Sequence, residues 1–265
     1  TLEITPSKLQ QPLDDTIDAL AEVVRIEAVD RKRFRKLLEE SKKVESLPIR
    51  VQLTDAEVAR FSAQRFRFPG VEVRARLFRD YPLGETGAHL LGYISRLSTH
   101  DQERLQQVSD DNDADERTRD PRRSIDNYRG TTHIGKSGLE QSYEYLLHGT
   151  SGFDEVEVSA SGRPVRTLDR SQPTPGDNLI LSVDIKLQAL VEHLYGQRRG
   201  ALVAIDPRNG EILAFVSKPS FDPNLFVNGI DPENWKRLNE SIDRPLYNRP
   251  LKGIYPPGST YKPFM

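Results

Sequence analysis

The order of apolar and polar residues predicts short strands and amphipathic helices in the first third of the chain. Leu2-Glu3-Ile4 alternates as a strand does, and the acids Asp14 and Asp15 precede an apolar series with helical spacing: Ile17, Leu20, Val23, Val24 and Ile26. A second helix is predicted over 31–43, with Asp30 as its N-cap. A third should follow Thr54, because Glu57 three residues later completes a capping-box pattern.

The middle of the chain is predicted to hold strands, a charged loop and a helix. Residues 71–78 alternate as a half-exposed strand. Residues 98–126 are almost all polar, and the acids at 110–116 suggest calcium. The run lacks the glycine and final glutamate of helix-loop-helix calcium sites, so we predict a mobile charged loop. A helix should follow Gly135 to Glu140 and end at Gly149, and a strand at 153–158 should precede a turn at Gly162-Arg163-Pro164.

The last third of the chain opens on a cluster of proline and glycine at 173–177, which predicts a domain boundary after residue 175. A strand is predicted at 179–183, and Asp184 should cap the helix that carries Leu187 to Leu194. Apolar runs at 200–205 and 211–216 flank Asn209-Gly210, which predicts a hairpin buried on both faces. A further helix is predicted from Glu233 through Leu238.

Composition excludes several classes of site. The 265 residues hold 38 Lys and Arg against 40 Asp and Glu, a net charge of -2, so no overall basic field indicates nucleic acid. Cysteine is absent, which excludes disulfides and thiolate chemistry within these residues. No apolar run approaches the roughly 20 residues that span a bilayer. The chain opens without Met, on a strand-like pattern, and we expect it to be an excerpt of a longer protein.

The candidate chemistry lies at the end of the chain, in Ser259-Thr-Tyr-Lys262. Residues three apart on a helix have Cβ atoms about 5–6 Å apart, so the Lys262 amine could take the Ser259 hydroxyl proton. The spacing alone is common, but Pro256-Pro257-Gly258 before it predicts a tight, preset start to a helix. Pro263 has no N–H, so we expect an irregular first turn.

His89 is a second candidate, as a general base. No acid, serine or second ligand accompanies it at a useful spacing, so we interpret it as a partly buried structural histidine.

Several segments together resemble the class B, monofunctional, penicillin-binding proteins. These are Gly176 to Gln188, Ala204 to Ala214, Phe221-Asp-Pro-Asn224 and Tyr255 to Pro263, and, nearer the start, Phe68 to Val71, Tyr81-Pro82, His89 to Tyr93 and Gly135 to Glu140. Within the class, the chain most resembles the penicillin-binding protein 2 group of the rod-elongation machinery. The resemblance implies an α+β fold: an elongated, mixed N-terminal pedestal of the dimerisation or interaction type over 1–175, then a truncated beginning of a serine β-lactamase-like transpeptidase domain, a sheet with flanking helices, over 176–265.

The resemblance also implies a mechanism. The family cross-links peptidoglycan: Ser259 would attack the D-Ala-D-Ala carbonyl of a stem peptide, with Lys262 as the base, and an amine of a neighbouring stem would resolve the acyl-enzyme. β-Lactams would acylate the same serine, and no cofactor or metal is implied. A lysine base near pH 7 needs its pKa about three units below 10.4, which costs about 4 kcal/mol. The backbone N–H of Ser259 could also donate to an oxyanion.

The chain departs from the family in two motifs. No Ser-x-Asn occurs, and the one Lys-Ser-Gly, at 136–138, precedes the serine and should open a helix. We therefore expect half an active site here, inactive alone. Two alternatives stay open: a β-lactamase or β-lactam sensor of the same fold, and a non-catalytic module in which 1–175 docks a membrane glycan polymerase and elongation scaffold proteins. The resemblance implies the periplasmic face of the bacterial inner membrane, with an anchor before residue 1.

Overall fold

The computed structural model describes residues 1–40, 46–114, 119–158 and 164–264. These residues form two compact units: Thr1–Phe78 with Val158–Val165, and Arg79–Glu157 with Arg166–Met265. Both helices and strands occur in each, which confirms the mixed fold class. The two units are defined by contacts within the structure, and they do not test the domain boundary predicted at residue 175, which stays a prediction.

The first unit is a small antiparallel sheet covered by helices. Its elements are β1 (Leu2–Ile4), α1 (Leu13–Ala21), α2 (Ala28–Glu40), β2 (Leu47–Arg50), α3 (Asp55–Gln64) and β3 (Val71–Val73). β1 lies between β2 and β3, with Ile4 opposite both Leu47 and Val71. One face of β1 packs into a core with Phe34 and Phe61.

The capping box of α3 is confirmed: Thr54 accepts a hydrogen bond from Glu57 N, and Glu57 accepts one from Thr54 N at 2.8 Å. The predicted cap of α2 is wrong, because Asp30 lies inside its first turn. Its carboxylate accepts from Glu27 N at 3.1 Å and pairs with Arg33. The predicted strand over 71–78 stops at Val73, and the predicted helix end at Lys43 lies outside the described residues.

The second unit begins with α4 (Ala88–Leu91), β4 (Ile94–Arg96), α5 (Thr99–Asp113), β5 (His133–Gly135), α6 (Gly138–Ser142) and α7 (Glu144–His148). It also holds most of β6 (Phe153–Val158) and β7 (Pro164–Ser171), whose residues Val158, Pro164 and Val165 are grouped with the first unit. The predicted charged loop at 98–126 is wrong: most of it is α5. Ser98 and Asp101 form a capping box there, and Asp101 also pairs with Lys136. The strand at 153–158 is confirmed; the turn at Gly162-Arg163 lies outside the described residues.

The unit continues with α8 (Ile185–Tyr195), β8 (Gly200–Ile205), β9 (Ile212–Lys218), α9 (Asn224–Val227), α10 (Pro232–Asn239), α11 (Arg249–Lys252) and a 3-10 helix (Gly258–Phe264). The Asp184 cap of α8 and the β8–β9 hairpin are confirmed. Two expectations are wrong: residues 179–183 form no strand within the described chain, and β8 is half-exposed rather than buried on both faces. A core of Phe221, Phe226 and Leu238 takes in Ala88 of α4.

Candidate active-site segment

Ser259 and Lys262 lie in the 3-10 helix Gly258–Phe264, and both side chains are exposed. Gly258 enters it with φ 56°, a left-handed conformation that favours glycine. Pro263 lies inside this helix, and the segment that was expected to begin irregularly is a 3-10 helix rather than an α-helix. The described residues do not enclose the pair. The low-dielectric surroundings that a lysine base needs are therefore not supplied by this part of the chain.

The run that leads to Ser259 is held by α11 and its cap. Asn248 accepts a hydrogen bond from Leu251 N at 3.4 Å, and its amide nitrogen donates to the His89 carbonyl at 3.1 Å. Pro250 occupies the first turn of α11, where its missing N–H costs nothing. Gly253 N donates to the Arg249 carbonyl at 2.8 Å. Asn248 thereby joins α11 to α4.

Arg249 is buried because its polar groups are satisfied by main-chain carbonyls. Its guanidinium donates to Arg244 O at 3.3 Å and Tyr247 O at 3.4 Å, and also to Asp243 O. Its backbone N–H donates to Ser217 Oγ of β9 at 3.1 Å, and that hydroxyl donates to Tyr247 O at 3.2 Å. α11 is thus fixed against β9 on a second side.

Behind β9, Gln188 of α8 is almost fully buried and pairs with both main-chain groups of Phe215, donating at 2.9 Å and accepting at 2.7 Å. Its amide also donates to Glu192 at 2.7 Å, and Glu192 accepts from Gly87 N at 2.9 Å. This chain of hydrogen bonds links α8, β9 and the residue before α4.

His89 lies within this packing, as the sequence predicted. Its ring stands edge-on to Phe221 with centroids 5.1 Å apart. Burial lowers the pKa of His89 to about 4, against the opposing pull of the Pro219 and Pro245 carbonyls. A histidine that is neutral at pH 7 and fills an apolar position has a structural role.

An open cleft of about 510 Å³ lies beside the run to Ser259. Arg199, Arg244 and Arg249 contribute positive charge, and Tyr247 and Tyr255 contribute aromatic surface. Arg199 pairs with Asp243 at 3.3 Å.

Lys136-Ser137-Gly138 connects β5 to α6 and opens that helix, as predicted. Lys136 pairs there with Asp101 of α5. Among the described residues no group of three His, Asp or Glu could hold a metal ion, and no helix is long and apolar enough to cross a membrane.

Sequence reasoning did not assign roles to Gln188, Ser217, Asn248 or Arg249. Asn248-Arg249-Pro250 did carry a signal, since an N-cap residue before Pro is typical of a helix start. The contacts of Asn248 and Arg249 with α4 and β9 are long-range, and the sequence gives no sign of them.

Two family models match the chain. The Penicillin-binding Protein dimerisation domain matches residues 1–181, and the Penicillin binding protein transpeptidase domain matches residues 200–265. The chain belongs to the penicillin-binding proteins.

Its relatives include the peptidoglycan D,D-transpeptidase MrdA of Acinetobacter baumannii, 43% identical over 95% of this chain and 35% of the relative, and that of Escherichia coli K12, 41% identical over 100% of this chain and 39% of the relative. This member of the penicillin-binding proteins therefore spans about two fifths of the length of those relatives.

Two solved structures are similar. Pseudomonas aeruginosa PBP2, in complex with WCK 5153, is 42% identical with a TM-score of 0.56 and covers 72% of this chain and 35% of its own. Helicobacter pylori PBP2, in complex with MreC, is 24% identical with a TM-score of 0.68 and covers 98% of this chain and 45% of its own; this likeness concerns the fold alone. The predicted resemblance to penicillin-binding protein 2 is confirmed.

Proposed function

We propose that this chain is the nucleophile-bearing part of a peptidoglycan D,D-transpeptidase, in which Ser259 is the nucleophile and Lys262 its base. The observation that carries the proposal is the position of Ser259-Thr-Tyr-Lys262 within 200–265, the residues that match the transpeptidase model. The names of the relatives support the same reaction. A β-lactamase is less favoured, because the dimerisation model matches most of the remaining chain.

The reaction divides into two acyl transfers. Ser259 Oγ bonds to the carbonyl carbon of the penultimate D-Ala while Lys262 Nζ takes its proton, and the terminal D-Ala leaves as an amine with a proton. The amine of a neighbouring stem peptide then attacks the ester, and Ser259 regains its proton. A β-lactam presents its ring amide in place of the D-Ala-D-Ala bond and stays attached to the serine.

The orientation of Ser259 depends on the approach of the chain. α11 is tied to β9 and α4, and the short run from Gly253 to Pro257 follows it directly. The cleft with Arg199 and Arg244 lies beside this run and suits the carboxylates of stem peptides. The Ser-x-Asn and Lys-Thr-Gly groups that complete the family's site do not occur downstream of Ser259 in this sequence. The test therefore uses the full-length protein.

Covalent labelling by a fluorescent penicillin tests the proposal. Wild type and Ser62→Ala, an exposed serine on α3, should be labelled equally, and Ser259→Ala should not be labelled. Lys262→Met should label about 10²–10⁴-fold more slowly, the usual contribution of a general base. Labelling of Ser259→Ala at another residue would refute the assignment.

Partners and location follow from the same proposal. The Helicobacter pylori protein was solved with MreC, which supports a scaffold protein of that kind as a partner here, beside a membrane glycan polymerase. The site of action is then the periplasmic face of the inner membrane. Co-purification of the full-length protein with MreC from its own bacterium tests the scaffold. Recovery of none under conditions that retain β-lactam labelling would contradict it.

A further inference from the structure

Asn248 makes two different hydrogen bonds with the two ends of one amide. The oxygen caps α11 by accepting from Leu251 N, and the nitrogen donates to the His89 carbonyl. His89 lies within the residues matched by the dimerisation model, and α11 within those matched by the transpeptidase model. One side chain therefore joins the two matched regions at the helix that precedes the nucleophile.

The position of this joint along the chain matters. Between Ile254 and Gly258 the described chain makes no hydrogen bond to an earlier element. The last hydrogen-bonded anchors before Ser259 are thus those of α11 and its flanking residues. Among the described residues α11 is therefore the last element before Ser259 that is hydrogen-bonded to α4 and β9, and a tilt of α11 would change the direction in which the run leaves Gly253.

We propose that Asn248 is a positioning residue for acylation, which holds α11 to the His89 carbonyl and thereby sets the direction from which the Ser259 segment leaves β9. The inference rests on the proposed function of Ser259. Ser217 acts on the same helix from the other side, through Arg249 N at 3.1 Å.

The amide chemistry separates this role from simple capping. Asp and Asn are equally good N-caps, so Asn248→Asp keeps α11 capped. A carboxylate has no donor, however, and it would face the His89 carbonyl with an oxygen. The substitution therefore breaks the joint to α4 and spares the helix.

Asn224 offers a matched control. Its amide accepts from Tyr81 N at 2.9 Å and donates to Tyr81 O at 2.9 Å, so it too joins the two matched regions through one donor and one acceptor. Within the part of the chain that the structure describes, its hydrogen bonds run to Tyr81 and Asp222 and not to α11. Asn224→Asp loses the same kind of donor to a main-chain carbonyl, and with it the bond that the amide donates to Asp222 Oδ1 at 2.9 Å. It is therefore a perturbation at least as severe, at a joint that does not lead to Ser259.

The experiment measures acylation of full-length protein by a fluorescent penicillin, separating the amplitude of labelling from its rate constant. Asn248→Asp should keep its amplitude and acylate about tenfold more slowly, the factor expected for one lost hydrogen bond with an opposed acceptor. Asn224→Asp should stay within about twofold of wild type. Ser217→Ala, which loses the other attachment, should slow acylation several-fold.

The outcomes are distinct. Equal acylation rate constants for Asn248→Asp and Asn224→Asp would overturn the inference. A lower amplitude of labelling for Asn248→Asp with an unchanged rate constant would also overturn it, because that result indicates a smaller folded fraction and no change in acylation. If Asn248→Asp does not fold, a wild-type rate for Ser217→Ala overturns it. An unlabelled wild type would overturn the proposed function, and this inference with it.

Discussion

His89 links the stability of the second unit to pH. Its imidazole is only 7% exposed and packs edge-on against Phe221. Burial is the main cause that lowers its pKa to about 4, and Arg249 and Lys218 act in the same direction. The folded protein therefore holds this ring neutral at a pH where an exposed histidine is already charged.

The sign and size follow from linkage. An unfolded histidine has a pKa near 6.5, so the unfolded chain takes up this proton first as pH falls. Stability is fully present above about pH 6.5 and is lost between about pH 6.5 and 4. Each unit of difference between the unfolded and folded pKa values corresponds to about 1.4 kcal/mol of unfolding free energy. Protonation of His89 therefore lowers the unfolding free energy by about 3 kcal/mol in total, and by about 2 kcal/mol at pH 5.

Equilibrium unfolding in urea at about pH 7.5 and about pH 5 measures this loss. His89→Phe keeps an aromatic ring against Phe221 and removes the titration. It should lose about 2 kcal/mol less on acidification than wild type. His100→Phe, at an exposed position of α5, should behave as wild type. Equal losses for His89→Phe and wild type would refute the reasoning.

Two further predictions concern polar side chains, Glu144 at a partly buried position and Gln188 at a fully buried one. Burial raises the pKa of Glu144 to about 7, because it disfavours the charged carboxylate. The contribution of Glu144 to the free energy of unfolding is therefore fully present below pH 4.5 and is lost as pH rises through 7. Glu144→Gln should therefore gain stability over wild type in urea unfolding at about pH 8 but not at about pH 4.5; an advantage independent of pH would contradict this. Gln188→Leu should cost about 2–4 kcal/mol, because both main-chain groups of Phe215 lose their partner. The exposed Gln141→Leu is its control, and equal unfolding free energies would count against the prediction.

Local signals in the sequence predicted local structure well. The Thr54–Glu57 capping box and the Asp184 N-cap are predictable because the residues of each lie within four positions of one another and accept hydrogen bonds from N–H groups of the same helix. α5 was missed for a related reason. Its buried face carries Asp101, Ser109 and Asn112 beside Leu105, so hydrophobic periodicity is almost absent. Its start was signalled by Ser98 and Asp101, a capping box with Asp in place of Glu.

The strands show the limit of pattern reasoning. Residues 179–183 are apolar apart from Ser182, yet they form no strand. The Ser182 hydroxyl donates to the Ile212 carbonyl of β9 at 2.9 Å, but within the described chain no backbone ladder pairs these residues with a strand, and Ile180 is 96% exposed. β8 pairs with β9, contacts α11 and accepts a hydrogen bond from the Tyr195 hydroxyl at Ala201 O, yet it remains half-exposed. For the candidate site, sequence identified Ser259 and Lys262 by their flanks, but not the residues that hold α11, because Asn248 and His89 are 159 residues apart.

The packing bears on how the interaction hypothesis should be tested. Ala88 shares a core with Phe221, Phe226 and Leu238, Tyr81 is joined to Asn224, and Gly87 to Glu192. A fragment that ends at residue 175 would lose these partners and expose apolar surface, so its binding to scaffold proteins could reflect unfolding rather than recognition. Surface substitutions in the full-length protein avoid this problem. Because the His89 carbonyl of α4 accepts a hydrogen bond from Asn248, the cap of the helix that leads to Ser259, a variant altered near α4 should be checked for β-lactam labelling as well as for partner binding.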